Sequence, residues 1–213
     1  MTTQAAIRSV CTDLALSPSD VQVDALLQYL TLLQHWNATY NLTAVRDPVA
    51  MLTQHLADCL AVVKPLQDRA RTGRLLDAGS GGGLPGVVIA LLLPSWDVTC
   101  VDAVGKKMAF VRQVAGSLQL GNLHAEHTRL ELLKKPLFDV ITSRGFASLA
   151  DFVRITQKHL APRGVWMAMK GRVPDGEIAS LPADVSVFHV EQLKVPGLDA
   201  QRCLVWMREQ AAS

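Results

Sequence analysis

The chain has 213 residues, of which 49% are hydrophobic, so it can bury a sizeable core and is not a disordered protein. Its net charge of +2 permits an RNA substrate but is too small for a dedicated basic nucleic-acid-binding domain. The longest uninterrupted apolar run, Val87 to Leu93, is far too short to cross a bilayer, so we expect no membrane partner.

Two further features predict a cytoplasmic protein. Residues Met1 to Val10 lack a basic region followed by an apolar one, so we expect no signal peptide. The four cysteines, at positions 11, 59, 100 and 203, are scattered and never approach the spacing of metal ligands. We therefore expect buried free thiols in a reducing compartment, with no disulfide and no metal site.

The first third of the chain is predicted to be helical. Asp20 is the expected cap of a helix whose apolar side chains recur at three- and four-residue intervals, namely Val23, Leu26, Leu27, Leu30 and Leu33. A loop from Asn37 to Asp47 should lead to a second amphipathic helix, which begins at Pro48 and runs through Met51, Leu52, Leu56, Leu60 and Val63. Residues 1–68 are thus expected to form a helical N-terminal extension.

From Arg74 onward, strand and helix patterns alternate. The predicted strands are Leu75–Asp77, Val98–Val101, Leu123–His127, Val140–Ser143 and Val165–Met169. The predicted helices between them begin near Pro85, Lys106, Arg129 and Leu149. This alternation favours a parallel sheet with right-handed crossovers. Two more β-rich runs, Val185–Gln192 and Gln201–Arg208, have no helix between them and predict an antiparallel pair that closes the sheet edge of a domain over residues 69–213.

The most distinctive local feature is the glycine-rich turn from Gly79 to Gly86, which follows the first predicted strand. Its glycines permit positive φ and leave no Cβ between the backbone and a ligand, and Pro85 suits the first turn of the next helix. Open α/β sheets bind nucleotides and nucleosides at this place. The turn fits the dinucleotide fingerprint G-x-G-x-x-G, and Asp102 follows at about the ~20 residues expected for a ribose contact. From the turn alone, a dinucleotide and S-adenosylmethionine both remain open.

S-Adenosylmethionine explains more of the chain. A dehydrogenase would need length for a substrate domain, and the terminal hairpin replaces the second half of a dinucleotide fold. Asp102 is placed to accept hydrogen bonds from both ribose hydroxyls, and Asp77 to orient the turn and attract the ammonium group of the ligand. Leu130 is expected to pack on the adenine and Glu131 to meet its edge. Alternatively, Leu130 and Glu131 belong to the first turn of a helix, where Glu131 lies near the positive end of the helix dipole. This alternative explains the two residues equally well.

Four segments together resemble the RsmG (GidB) family of methyltransferases. They are the glycine turn, Val101-Asp102 with Lys106-Lys107, Ser143-Arg144-Gly145-Phe146-Ala147, and Tyr40-Asn41-Leu42-Thr43-Ala44-Val45-Arg46-Asp47-Pro48 followed by His55-Leu56-Ala57-Asp58. The resemblance keeps order and spacing from about Asn37 to Gly171. Its Asn-Leu-Thr-Ala segment is much more specific than the turn, which nearly all related methyltransferases share.

The resemblance implies an α/β fold of the Rossmann-like, class I S-adenosylmethionine-dependent methyltransferases. We expect a seven-stranded mixed sheet with a terminal antiparallel hairpin and an N-terminal helical extension. The implied activity is methyl transfer from S-adenosyl-L-methionine to N7 of a guanine in the decoding-region loop of 16S ribosomal RNA. The cofactor contacts implied by the family are Gly79, Leu84, Leu130, Glu131 and Arg144. The turn glycine Gly81 and the expected ribose ligand Asp102 complete the predicted cofactor site. Gly145 departs from the family, which more commonly has alanine there.

Methylation of guanine N7 asks little of acids and bases. N7 already carries a lone pair in neutral guanine, so the reaction mainly needs in-line approach at near-attack distance. In agreement, the sequence has no convincing Ser/His/Asp array, and it lacks the Asn-Pro-Pro-Tyr-like segment of amino-group methyltransferases. Arg144 is the predicted catalytic residue, because its planar guanidinium can hold the cofactor carboxylate or a guanine or phosphate acceptor. Phe146 either stacks on the target base or anchors the loop.

The residues predicted to contact RNA are Asn41, Arg46, Lys106 and Lys107. In one interpretation Asn41, Arg46 and His55 form the rim of the RNA site. In the other, Asn41, His55 and Asp58 form a polar network that joins the extension to the core. Lys106 and Lys107 follow the ribose aspartate and can meet phosphates.

We expect a monomer that acts on 16S ribosomal RNA or on a small-subunit precursor, because a chain of this size and charge needs folded RNA to supply part of the recognition surface. Two other functions stay open. One is an S-adenosylmethionine-dependent methyltransferase for a small molecule or protein, which the weak basicity favours. The other is a non-catalytic regulator that binds a nucleoside or dinucleotide.

Overall fold

A computed structural model describes residues 2–210 and shows a seven-stranded mixed sheet. The strands are β1 (Gly73–Ala78), β2 (Trp96–Asp102), β3 (Leu123–His127), β4 (Phe138–Arg144), β5 (Leu160–Lys170), β6 (Val185–Leu193) and β7 (Arg202–Glu209). Their order is β3-β2-β1-β4-β5-β7-β6. Strands β1 to β5 run parallel, and β7 pairs antiparallel with both β5 and β6. The predicted fold class, including the antiparallel pair at the sheet edge, is confirmed.

Helices cover both faces of the sheet. The α-helices of the described residues are α1 (Thr3–Asp13), α2 (Asp20–Tyr40), α3 (Pro48–Met51), α4 (Asp58–Leu60), α5 (Val63–Arg69), α6 (Gly86–Leu92), α7 (Gly105–Ser117), α8 (Leu149–Thr156) and α9 (Asp175–Ala179). None of these helices is long and apolar enough to pass through a membrane. All four cysteines are free and buried, as the sequence predicted.

Two apolar cores lie on opposite faces of the sheet, because successive side chains of a strand point to opposite sides. Leu75 and Val140 belong to the core that α1 to α7 cover, whereas their neighbours Leu76 and Ile141 belong to the core beneath α8. Strands β1 and β4 are therefore buried on both faces, which accounts for their near-continuous apolar sequence.

Helix α2 begins and ends differently from the prediction. Ser19, rather than Asp20, caps it: the Ser19 hydroxyl accepts from Gln22 N–H while the Gln22 side chain accepts from Ser19 N–H. The helix also continues to Tyr40 and ends where Asn41 takes a left-handed backbone (φ 49°), so the predicted loop from Asn37 begins only at Asn41. Asn37 is buried within the last turns and donates to Val45 O across the loop.

The continuous helix predicted after Pro48 is wrong as well. Helix α3 passes into a π-helical segment, Leu52–Ala57, and then into the short α4. A π-turn inserts a residue and redirects the side chains, and such turns are frequent at functional sites. His55 and Asp58 lie on this stretch. Helix α6 begins at Gly86, one residue later than predicted, with Pro85 just before it. Helix α1 lies in the predicted helical extension, although its bounds were not predicted, and helix α9 was not predicted.

Candidate active site

Four strand ends converge at the carboxyl edge of the sheet. Strand β1 has β2 on one side and β4 on the other, so the direction in which strands are added reverses there. Ligands of open α/β sheets bind in the crevice outside such a switch point. Asp102, Arg144 and Lys170 are the last residues of β2, β4 and β5, and Gly79 directly follows β1. Because β7 is antiparallel, its first residue, Arg202, lies at the same edge.

The first cavity at this edge has a volume of about 380 Å³, within the range of small-molecule sites. It is lined by Gly79, Val101, Asp102, Ala103, Thr128, Arg129, Leu130, Glu131, Phe146 and Ile155. Four of the residues predicted to bind the cofactor meet here: Gly79, Asp102, Leu130 and Glu131. Gly81 and Leu84 do not line the cavity. Leu84, within the turn, is buried in the apolar core, and Gly81 contributes a backbone N–H to the Asp102 carboxylate.

The glycine turn is tied to the end of β2. Ser80 N–H donates to Val101 O at 3.0 Å, and Gly81 N–H donates to Asp102 Oδ2 at 3.1 Å. Gly79 has φ 69°, a left-handed conformation that favours glycine, and a Cβ there would face the Phe146 ring at 3.7 Å. Gly79 therefore presents its backbone to the first cavity with no side chain of its own in between.

Asp102 retains capacity for a ligand. Its carboxylate accepts from Val104 N–H at 2.8 Å, from Gly81 N–H and from Lys107 Nζ at 3.4 Å. A carboxylate has about four acceptor sites, so one remains on Oδ1 for a hydroxyl group, and a second becomes free if Lys107 withdraws. This free acceptor site suits a ribose hydroxyl, which can donate to it.

Asp77 holds the glycine turn from below. Its Oδ2 accepts from Gly86 N–H at 2.8 Å, which fixes the start of α6. A Cβ at Gly86 would collide with Cys100 Sγ, so only glycine allows this approach. Within residues 2–210, Asp77 Oδ1 has no hydrogen-bond partner, and burial raises the pKa of the carboxyl to about 7. Asp77 lines neither cavity, so its predicted contact with the ligand ammonium remains a prediction.

A second cavity, of about 430 Å³, adjoins the first across Phe146, which lines both. Its lining residues are Gln54, His55, Asp58, Arg144, Gly145, Phe146, Met169, Lys170, Gly171 and Arg202. The lining thus contains three cationic side chains, of which Arg144 and Arg202 pair with Asp58 and Lys170 pairs with Glu177. Arg144, predicted from the sequence both as catalytic and as a cofactor contact, lines this second cavity and not the first.

The Arg144 guanidinium is held by the helical segment before the sheet. Its Nη1 donates to Gln54 O at 3.2 Å and lies 3.4 Å from Asp58 Oδ2. Asp58 also accepts from Arg202 Nε at 2.9 Å, so one buried carboxylate fixes two guanidiniums. The His55 ring lies 3.4 Å from Arg144 and 2.6 Å from Thr43 Oγ1. Burial and the Arg144 charge lower the pKa of His55, which keeps the ring neutral at neutral pH.

The loop after β4 is anchored on its other side. Glu177 of α9 accepts from Leu149 N–H at 2.7 Å and from Lys170 Nζ at 2.7 Å. The Phe146 ring packs on Phe152, with 5.3 Å between the ring centroids. These contacts support the interpretation of Phe146 as a loop anchor, while the same ring separates the two cavities.

The predicted RNA contacts lie in two places. Arg46 donates to Asn41 Oδ1 at 2.7 Å on the exposed loop after α2, whereas Lys106 is exposed beside Lys107 at the start of α7. His55 and Asp58 do form a polar network between the helical segment and the sheet. Asn41 stands outside that network and pairs with Arg46 instead.

Several lining residues were not singled out from the sequence. Lys170 could have been found, because it ends β5 just as Asp102 ends β2. Arg202 carried no local signal, since 144 residues separate it from Asp58. Among residues 2–210, no cluster of three His, Cys, Asp or Glu side chains is arranged to hold a metal ion.

The model of the GidB family, described as rRNA small subunit methyltransferase G, matches residues 22–205. The chain is 57% identical over 216 residues to the ribosomal RNA small subunit methyltransferase G of Acidovorax sp. (strain JS42), covering 97% of this chain and 95% of that protein. It is 60% identical over 197 residues to the protein of the same name from Leptothrix cholodnii, covering 92% and 90%.

Solved structures share the fold at lower identity. The 1,6-didemethyltoxoflavin-N1-methyltransferase of Burkholderia thailandensis, solved with bound S-adenosylhomocysteine, matches with a TM-score of 0.60 at 15% identity. The match covers 86% of this chain and 89% of that one. This likeness concerns the arrangement of helices and strands.

Proposed function

The chain belongs to the GidB family, rRNA small subunit methyltransferase G, and we propose that its first cavity binds S-adenosylmethionine while its second receives a guanine of 16S ribosomal RNA. The family match, over residues 22–205, extends beyond both ends of the stretch from Asn37 to Gly171 that carries the resemblance. The observation that carries the proposal is the pair of adjoining cavities, one suited to a nucleoside and one cationic, which meet at Phe146.

The first cavity fits the cofactor by its chemistry. Asp102 offers a free acceptor site for a ribose hydroxyl, the Gly79 backbone permits close approach, and Leu130 with Ile155 provides apolar surface for an adenine ring. Glu131 lies at the same wall and meets the adenine edge in this proposal. When bound, S-adenosylmethionine supplies an electrophilic methyl group on a sulfonium centre.

The second cavity positions the acceptor. Guanine presents O6 and N7 as acceptors on one edge, and arginine commonly binds both. Here N7 must stay free to attack, so Arg144, Lys170 or Arg202 donates to O6 or to a neighbouring phosphate instead. No side chain has to remove a proton, because N7 of neutral guanine is already nucleophilic. This agrees with His55, which is neutral and whose Nε2 is already hydrogen-bonded to Thr43 Oγ1. Catalysis by this chain is therefore orientation and exclusion of water.

Substrate recognition extends beyond the cavity. In this proposal the exposed pair Asn41 and Arg46 lies toward the acceptor side, and Lys106 meets phosphate on the donor side. Residues 1–68 act as the helical extension and residues 69–213 as the methyltransferase core. The protein works as a monomer in the cytoplasm. Its substrate is folded 16S ribosomal RNA or a small-subunit precursor, because a net charge of only +2 leaves part of the recognition to the RNA.

The test is incubation of the purified chain with radiolabelled methyl donor and small subunits or 16S RNA from cells that lack the endogenous enzyme. We expect label that maps to N7-methylguanine at one position. RNA from cells that contain the endogenous enzyme is the matched control and should take up little label. Label in protein or in a small molecule would instead indicate a different acceptor. Tight donor binding without transfer to any acceptor would contradict the proposed enzyme activity.

A further inference from the structure

The glycine turn has a further support, which comes from the helical extension. Tyr29 lies in the middle of α2 and is fully buried. Its hydroxyl donates a hydrogen bond to Gly82 O at 2.8 Å, across 53 residues of sequence. Burial raises the pKa of Tyr29 well above its ordinary value, so the hydroxyl stays protonated and remains a donor.

The Tyr29 ring has little freedom to move. Its centroid lies 6.2 Å from that of Phe110 on α7, the helix that follows Asp102. Leu33, one turn further along α2, lies so close to the turn that a Cβ on Gly82 would be 3.2 Å from its Cδ1. Helix α2 therefore contacts the turn through one polar and one apolar side chain.

Asp102 and Tyr29 hold neighbouring residues of the turn. Asp102 accepts from Gly81 N–H on the side of β2, and Tyr29 donates to Gly82 O on the side of α2. Gly81 and Gly83, on either side of Gly82, both have positive φ, and glycine can leave such a conformation at little steric cost. Loss of either support should broaden the conformations of the turn.

We propose that Tyr29 is a positioning residue for methyl-donor binding: through its hydroxyl, α2 of the helical extension holds the glycine turn in the shape that places Asp102 and the Gly79 backbone around the ligand. The inference rests on the proposed function, because it assumes that the first cavity binds the donor. The extension is then part of the donor site as well as a neighbour of the acceptor cavity.

The test compares Tyr29→Phe with Tyr40→Phe, which alters the other of the two tyrosines of the chain. Tyr40 is 44% exposed at the end of α2 and lines neither cavity, so it is a matched control. Binding of S-adenosylhomocysteine is measured by calorimetry. We expect Tyr29→Phe to raise Kd about fivefold, the change that one neutral hydrogen bond supports, and Tyr40→Phe to leave it within about twofold.

If Tyr29 only stabilised the fold, the result would be different. Tyr29→Phe would then lower Tm without changing the donor Kd measured well below Tm, and it would not speed amide hydrogen exchange specifically in the turn. We expect faster exchange of residues 81–84 in folded Tyr29→Phe, and a raised KM for the donor with an unchanged KM for RNA. Unchanged donor Kd and unchanged exchange would overturn the inference.

A second variant keeps the test independent of Tyr29 itself. Gly82→Ala would place a Cβ 3.2 Å from Leu33 Cδ1, closer than ordinary van der Waals contact, and we expect the strain to shift the turn and to raise Kd as well. If the wild type binds S-adenosylhomocysteine and both variants bind it equally well, the inference fails alone. If the wild type does not bind it, the proposed function fails together with the inference.

Discussion

Asp58 Oδ1 accepts a hydrogen bond from Arg202 Nε at 2.9 Å, which joins the helical segment before the sheet to the first residue of β7. Its Oδ2 lies 3.4 Å from Arg144 Nη1 at the end of β4. The Asp58 side chain is only 5% exposed, whereas the side chains of Arg144 and Arg202, which both line the second cavity, are 24% and 26% exposed. One carboxylate thus orients two cations that line the second cavity.

The first prediction concerns Asp58→Asn. The variant leaves two guanidiniums without a counter-charge, so we expect at least a tenfold loss of methylation kcat/KM. Hydrogen bonds to charged groups contribute about 1.5–3 kcal/mol, and we expect a loss of that order in the free energy of unfolding. Urea unfolding and the methylation assay measure the two effects. Asp68→Asn, in an exposed pair with Lys64, is the control and should change neither much. Wild-type activity in Asp58→Asn would contradict the role.

The second prediction concerns Arg144→Ala. The side chain lines the second cavity, so we expect the fold to persist while kcat falls more than tenfold. Donor Kd should change less than kcat, because Arg144 does not line the first cavity. Circular dichroism, calorimetry and methyl transfer separate these effects. Arg154→Ala, on the exposed side of α8, is the comparison variant and should transfer methyl groups normally. A normal methylation rate in Arg144→Ala would remove Arg144 from the mechanism.

The third prediction concerns Asp102→Asn. Both carboxylate oxygens accept from backbone N–H groups, and an amide would turn a donor toward one of them. We expect donor Kd to rise more than tenfold, as both the turn and the free acceptor site are disturbed. Calorimetry with S-adenosylhomocysteine measures this directly. Asp199→Asn, exposed in the loop between β6 and β7, should bind like the wild type. Equal donor affinity in Asp102→Asn would exclude Asp102 as the ribose ligand.

The fourth prediction concerns the pH dependence of stability. Because burial raises the pKa of Asp77 to about 7, the folded protein binds more protons at this site than the unfolded chain between about pH 4 and 7. This contribution to stability is present at low pH and is lost as the pH rises through 7. Asparagine does not ionise, so the free energy of unfolding of Asp77→Asn, relative to the wild type, should increase from pH 5 to pH 8. Denaturant unfolding at several pH values tests this, and a constant difference would contradict it.

The local parts of the site were readable from the sequence. The strands that carry Asp102 and Arg144, and the turn that carries Gly79, follow from apolar runs and glycine spacing within a few residues. The cap of α2 was also readable, since Ser19 and Gln22 form a capping-box pattern that the choice of Asp20 overlooked. The π-helical segment was not readable, because the helical apolar pattern continues through it.

By itself, the sequence determined the α/β class, the glycine-rich turn and the family, because each depends on residues close together in the chain or on whole segments kept in order. Only the tertiary structure decided which cavity Arg144 faces, and it alone paired Asp58 with Arg202 and Tyr29 with Gly82. These contacts join residues 144 and 53 positions apart, and they form only when β7 and α2 pack against the sheet. Local pattern fixes backbone conformation, whereas the partners of a buried polar side chain depend on which distant elements packing brings to it.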